Sequence, residues 1–286
     1  MQVTDDPTPK GPINEQDLKK QLIQQFNQKE VAKSGFPTEI IDLPSKGLLY
    51  PEGHPLASGK IEMKYMCAKE EDILTSQNLI KQGVVLDKLF QSMIVTPVNY
   101  DDILIGDKNA IMIAARVLGY GKKYDIEIKC PGCSTPNKVS IDLTLVKDKV
   151  IDDTLLSKQN HSQEFEFVLP QTKRVIRFKL LTVGLSKQIE IELKGMKKVK
   201  SSEVSSELTT RMKHIITAVD GNADIQYIRN FVENEFFAFD ARALRKYLSD
   251  IHPDVDLSFN FECTECSHSK EGMPIILDVN FFWPGN

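Results

Sequence analysis

The chain has 286 residues, 41% hydrophobic and 27% charged, a composition that suits a globular protein with one large core or two of ordinary size. Its net charge of −4 offers no bulk attraction to nucleic acid or an anionic membrane, and no run of about 18 apolar residues is present to span a bilayer. The opening MQVTDDPTPKGPINEQ has no apolar h-region, so no signal peptide is expected and synthesis in a reducing cytoplasm is.

Residues 1–35 are polar, with Pro7, Pro9 and Pro12 ahead of a Gln/Lys-rich piece in which Leu18, Leu22, Ile23 and Phe26 fall at helical spacing. They read as a mobile arm bearing a short one-faced helix, suited to ordering against a partner. In residues 36–66, Pro37, Pro44, Pro51 and Pro55 preclude a long helix, and Gly47, Gly53 and Gly59 punctuate the chain. An extended docking segment is expected there, ending in a strand from Lys60 to Met66. Cys67 has no partner at ligand spacing and reads as a partly buried small apolar side chain.

Residues 67–133 read as a helical block that leads into a first cysteine hairpin. Glu70, Glu71 and Asp72 load the start of one helix, Leu74, Leu79 and Ile80 stripe it, and Gly83 closes it. Val85, Leu89, Phe90 and Met93 mark a second helix before Pro97. A third is expected after Asp107 as N-cap, through Ile111, Ile113, Ala114, Val117 and Leu118. Residues 134–256 then read as a mainly helical α+β insertion. Glu164–Leu169 and Arg174–Leu181 alternate as a hairpin around Pro170. Helical spacing follows in Leu185, Ile189 and Leu193. It resumes in Val204, Leu208, Met212, Ile215, Ile216 and Val219. After a turn at Asp220-Gly221-Asn222, Ile225, Ile228 and Val232 continue the pattern, and Leu244, Tyr247, Leu248 and Ile251 mark the last helix. The lysines of Lys194–Lys200 read as a solvated helix end among glutamates.

Cys130-Pro-Gly-Cys133 and Cys263-Thr-Glu-Cys266 are two Cys-x-x-Cys pairs with 129 residues between them. Four thiolates in two such pairs can supply the tetrahedral set of one structural zinc. The separation admits either one zinc ribbon split by an insertion or two unrelated thiol motifs. Tyr124, Ile126 and Ile128 alternate with polar residues before the first pair, and Val139, Ile141 and Leu143 after it. Leu257, Phe259 and Phe261 do so before the second pair, and Ile275, Leu277, Val279 and Phe281 carry the rhythm on. Period-2 alternation on both sides of a turn marks a hairpin, so each pair is placed at a hairpin tip and residues 257–286 are expected to close the ribbon. The fold class is therefore α+β, with split zinc-ribbon-like hairpins, and Cys130, Cys133, Cys263 and Cys266 are the candidate ligands. His268 reads as an exposed knuckle residue. Phe281, Phe282 and Trp283 break the alternation, so at least one is expected to face outward.

No phosphate-binding loop, nucleophile elbow or His-Glu-x-x-His helix is present, and His54, His161, His214, His252 and His268 lack ligand spacing. His252 falls at a helix end, where a cation suits the dipole. A zinc held by four cysteines leaves no open position for a reacting water, so a non-enzyme without a small-molecule substrate is expected. The main alternative is a nucleic-acid-binding or transcription-associated zinc ribbon. Against it, Asp125, Glu127, Asp142, Glu262, Glu265, Glu271 and Asp278 outnumber Lys129, Lys138 and Lys270 on the hairpins.

LPSKGLLYPEGHPLASGKIEMKYM followed by AKEEDILTSQNLIKQGVVLDKLF resembles baseplate hub proteins of contractile-tailed bacteriophages of the T-even type. The paired-cysteine hairpins and Phe281-Phe282-Trp283-Pro284 are similar too, and the resemblance runs from about residue 36 to the C-terminus. It implies a non-enzymatic tail component or assembly protein whose partners are other baseplate and hub proteins. Its location would be the host cytoplasm during assembly and the virion tail baseplate afterwards.

Overall fold

In a computed structural model of the chain, residues 37–151, 164–199, 206–277 and 279–282 are described. The expected arm of residues 1–35, Val204 and Trp283 lie outside them. Four small antiparallel sheets and eight α-helices make up the described part, an α+β arrangement.

Strand β1 (Thr38–Asp42) pairs antiparallel with β2 (Lys60–Lys64), Ile41 opposite Ile61. The chain between them folds inward through tight turns, burying Leu43, Leu49, Tyr50 and Leu56. Much of the stretch read as a docking segment therefore belongs to the core, while Ile40, Pro51, Glu52 and Gly53 stay exposed.

The helix expected from Glu70 to Gly83 is broken at Ser76 into α1 (Ala68–Thr75) and α2 (Gln77–Gln82), and Gly83 closes the second in the left-handed region. Of the predicted stripe, Leu74 in α1 is fully buried, while Leu79 and Ile80 in α2 are half-buried against the core. Cys67 is exposed rather than partly buried: it is the N-cap of α1, and its thiol donates to Glu70 Oε2 at 2.8 Å. Glu70 is fully buried and accepts from Lys64 Nζ (2.8 Å) and Ser92 Oγ (2.6 Å), tying β2 to α1 and to α3 (Val85–Met93).

Helix α4 (Ile105–Tyr120) starts earlier than expected, with Leu104 as its cap. Asp107 lies inside the first turn, fully buried, and accepts from Ser45 N (3.0 Å), Ser45 Oγ (2.7 Å) and Tyr50 OH (2.7 Å). Burial pushes its carboxyl above the usual carboxylate range, and those three bonds oppose the shift. Most of the α4 surface is covered, Ile111 and Ala115 completely. At its far end Arg116, 1% exposed, donates to Phe281 O (3.0 Å), Gly121 O (3.1 Å) and Lys123 O (3.2 Å). That clamp docks the 3₁₀ turn Val279–Phe282. Phe281 and Phe282 are both fully buried, which leaves the expected outward aromatic to Trp283, outside the described residues; Phe281 meets Tyr124 edge-on at 4.8 Å.

The inserted stretch forms β5 (Glu164–Val168), β6 (Val175–Lys179), α5 (Val183–Val199), α6 (Glu207–Ile215), β7 (Ile216–Val219), α7 (Ile225–Asn230), a π-helical turn (Phe231–Glu235) and α8 (Ala238–Ile251). The predicted hairpin is present as β5–β6, but Ile216 and Val219, read as helical, lie on a third strand beside β6. Ile216, Ala218 and Val219 are all buried, so the strand loses its alternation and its apolar run merges with that of α6. Asp220 and Gly221 take the turn at φ 50° and 81°. His252 is at the end of α8, as expected, and burial lowers its pKa.

The insertion packs directly on the first helices. Ile105 N donates to Leu181 O (3.0 Å) and Val183 N to Ile103 O (2.8 Å), while Asn109 Nδ2 donates to Asp254 Oδ1 (2.9 Å). One apolar cluster runs from Leu43 to Phe282.

Candidate metal centre

The two cysteine pairs sit at the tips of separate hairpins. The first is β3 (Lys123–Lys129) with β4 (Pro136–Asp142), Lys129 opposite Pro136; the second is β8 (Ser258–Glu262) with β9 (Ser269–Pro274). The expected continuation of strand rhythm through Ile275, Leu277, Val279 and Phe281 is not found. β9 ends at Pro274, and Ile275 turns into the core.

Both tips adopt the same knuckle. Cys130 N donates to Thr135 O, five residues on (2.9 Å), and Ser134 N to Cys130 O (2.8 Å); in the second tip Cys263 N likewise donates to His268 O (2.9 Å) and Ser267 N to Cys263 O (3.1 Å). Ser134 and Ser267 take left-handed φ of 62° and 55° at equivalent places. In each pair the first cysteine is 2% exposed and the second is exposed.

The four thiols converge. Cys130 Sγ lies 3.7 Å from Cys266 Sγ, Cys133 Sγ lies 3.7 Å from Cys263 Sγ, and all four are within 4.8 Å of one another. Tetrahedral coordination at a zinc–sulfur distance of about 2.3 Å places sulfurs about 3.8 Å apart, so the donor set fits such an ion. Phe261 is buried beneath, with Ile128, Val139, Phe259 and Met273 packed around it.

The local field acts differently on the sulfurs. The Cys266 amide, then that of Glu265, brings the Cys263 thiol down to about 6, and the Thr135 hydroxyl lowers that of Cys133. At Cys266 the His268 amide lowers the pKa, yet the hydrogen bonds with the neighbouring thiols outweigh it and push the group up to about 12. Without a cation, one sulfur gives up its proton at the expense of its neighbours. His268 is exposed, and its ring covers Gly132, where a Cβ would lie 3.2 Å away.

Asn137, which carried no signal as a site residue, is 3% exposed and connects the tips: Nδ2 donates to Cys263 Sγ (3.5 Å) and Oδ1 accepts from Thr264 N (2.9 Å). Asparagine at the start of a strand was the available hint, because that residue type is depleted from strands.

Fold and site together define an α+β protein whose hairpins, remote in sequence, are brought tip to tip by four cysteines. A family model described as T4 bacteriophage base plate protein matches residues 39–282, and the chain belongs to that family. No curated protein and no solved structure matches it. The family makes it a structural protein of the phage tail baseplate, a virion component that works among other baseplate proteins. Among the described residues no helix is long and apolar enough to cross a membrane.

Proposed function

We propose that the chain is a non-enzymatic component or assembly protein of the baseplate's central hub, stapled by one zinc on Cys130, Cys133, Cys263 and Cys266 and acting by docking to neighbouring subunits. The convergence of the four thiols within 4.8 Å carries the zinc reading. A zinc so held is coordinatively filled and supplies folding energy rather than a reacting water. In that role Cys130 and Cys263 anchor the buried side of the ion, Cys133 and Cys266 its solvent side, and the knuckle amides stabilise thiolate charge.

The hub reading rests on the likeness of residues 43–66 and 68–90 and of the cysteine hairpins to hub proteins, within a family match that spans most of the chain. Exposed Ile40, Phe237 and Phe239 offer apolar contacts for docking. The exposed Glu262, Glu265 and Glu271 around the second knuckle disfavour phosphate, which weighs against the nucleic-acid alternative. Assembly would begin in the host cytoplasm and end in the virion tail. Tagged chain recovered from phage-infected cells, with its companions identified by mass spectrometry, tests this. Hub and central tail proteins are expected; recovery with wedge proteins alone, or with nucleic acid, would overturn the hub assignment.

A further inference from the structure

We infer that Asn137 is the positioning residue of the metal centre, bracing one knuckle against the other and setting how slowly the centre releases its metal. The inference rests on the zinc reading above. Asn137 stands on β4 opposite Ile128, seven residues after Cys130. A buried carboxamide has two N–H donors and an oxygen with two lone pairs to satisfy. Nδ2 donates to Thr135 O (2.9 Å) and Cys263 Sγ (3.5 Å), and Oδ1 accepts from Thr264 N (2.9 Å) and Thr264 Oγ1 (3.0 Å). Thr135 belongs to its own knuckle, whereas Cys263 and Thr264 belong to the other. One side chain thus makes three hydrogen bonds across the gap.

The brace is one-sided although the knuckles are alike. Seven residues after Cys263 stands Lys270, which is exposed. The donor set is therefore pre-shaped from the first hairpin outward, and Cys263 receives a side-chain N–H that the second hairpin does not return from that position. An N–H aimed at a metal-bound thiolate draws charge from the sulfur and slows its attack by protons and electrophiles. Groups that orient ligands from outside the ligand set typically change metal affinity by about 10–100-fold.

Asn137→Asp separates the two halves of this role: it keeps the size and the acceptor for Thr264 but removes both donors. In the zinc-loaded full chain, transfer of zinc to 4-(2-pyridylazo)resorcinol should be roughly 10–100-fold faster than in the wild type, at temperatures well below the unfolding of either. N-ethylmaleimide should then label Cys263 earlier than in the wild type. Release at the wild-type rate, or only as the whole chain unfolds, would overturn the inference. A measurement on the unmutated chain guards against a variant that does not fold. With zinc bound, the Asn137 side-chain amide protons should exchange slowly with deuterated solvent, and rapid exchange would again overturn it. A wild-type chain without zinc would remove the zinc reading and this inference together; a zinc-loaded wild type with an unaltered Asn137→Asp rate would remove only the latter.

Discussion

Glu70 illustrates how a buried charge is tolerated. Burial alone would raise its pKa, yet the Cys67 thiol, Lys64, Ser92 and the Cys67 amide together bring it down to about 2 from an ordinary value of 4.5. A depressed folded-state value means the carboxylate stabilises the native state fully above pH 4.5, and that contribution fades as pH falls from 4.5 towards 2. Glu70→Gln should therefore melt below the wild type at pH 6, and the gap should close across this window. Melting curves followed by circular dichroism from pH 2 to 6 check it, and a gap constant with pH would contradict the assignment. Single residues were the least legible part of the sequence. Asp107 carries both the marks of a cap and those of a first-turn acid, and only the Ser45–Tyr50 turn, distant in sequence, decides between them. Cys67 gave no sign that it would be the N-cap of α1 with its thiol bonded to Glu70. The four clustered cysteines were legible because ligand spacing and hairpin flanks agree; Asn137 was not, because its partners lie 126 and 127 positions away.

At the scale of elements, the first cysteine hairpin, the strand leading into the second cysteine pair and the hairpin around Pro170 followed from alternation, and α3 and α8 from helical spacing. β7 was lost because a strand buried on both faces has no period to read. The seam between α4 and the segment after α8 is equally silent in sequence. There a Cβ on Gly106 would lie 1.7 Å from Pro253 O, a backbone atom that cannot rotate away. Gly106→Ala should destabilise the chain by on the order of 3 kcal/mol in urea unfolding. A change below about 0.5 kcal/mol would show that the two segments are not in close contact. At the other end of α4, Arg116→Met leaves three carbonyls without their donor, and a loss of about 2–4 kcal/mol is expected. The same variant should expose the Val279–Phe282 turn to proteolysis; an unchanged digestion pattern would argue that apolar burial of Phe281 and Phe282 alone holds it.

For the whole molecule, the cysteine cluster closes a loop that runs from Cys133 to Cys263 and returns the C-terminal segment to the middle of the chain. The apolar core beneath is continuous, so metal loss should loosen the hairpin tips without dispersing the helices. Cys130→Ser and Cys263→Ser each remove one buried sulfur of the same site. They should destabilise to the same extent in urea unfolding, and a difference above about 2 kcal/mol would indicate separate roles for the two pairs. The most direct test of the clamp is the metal content of the full chain, purified without added metal and measured by inductively coupled plasma mass spectrometry. One zinc per chain, lost in both serine variants, is the expected result; a wild-type chain without zinc, or one whose zinc survives both substitutions, would contradict it.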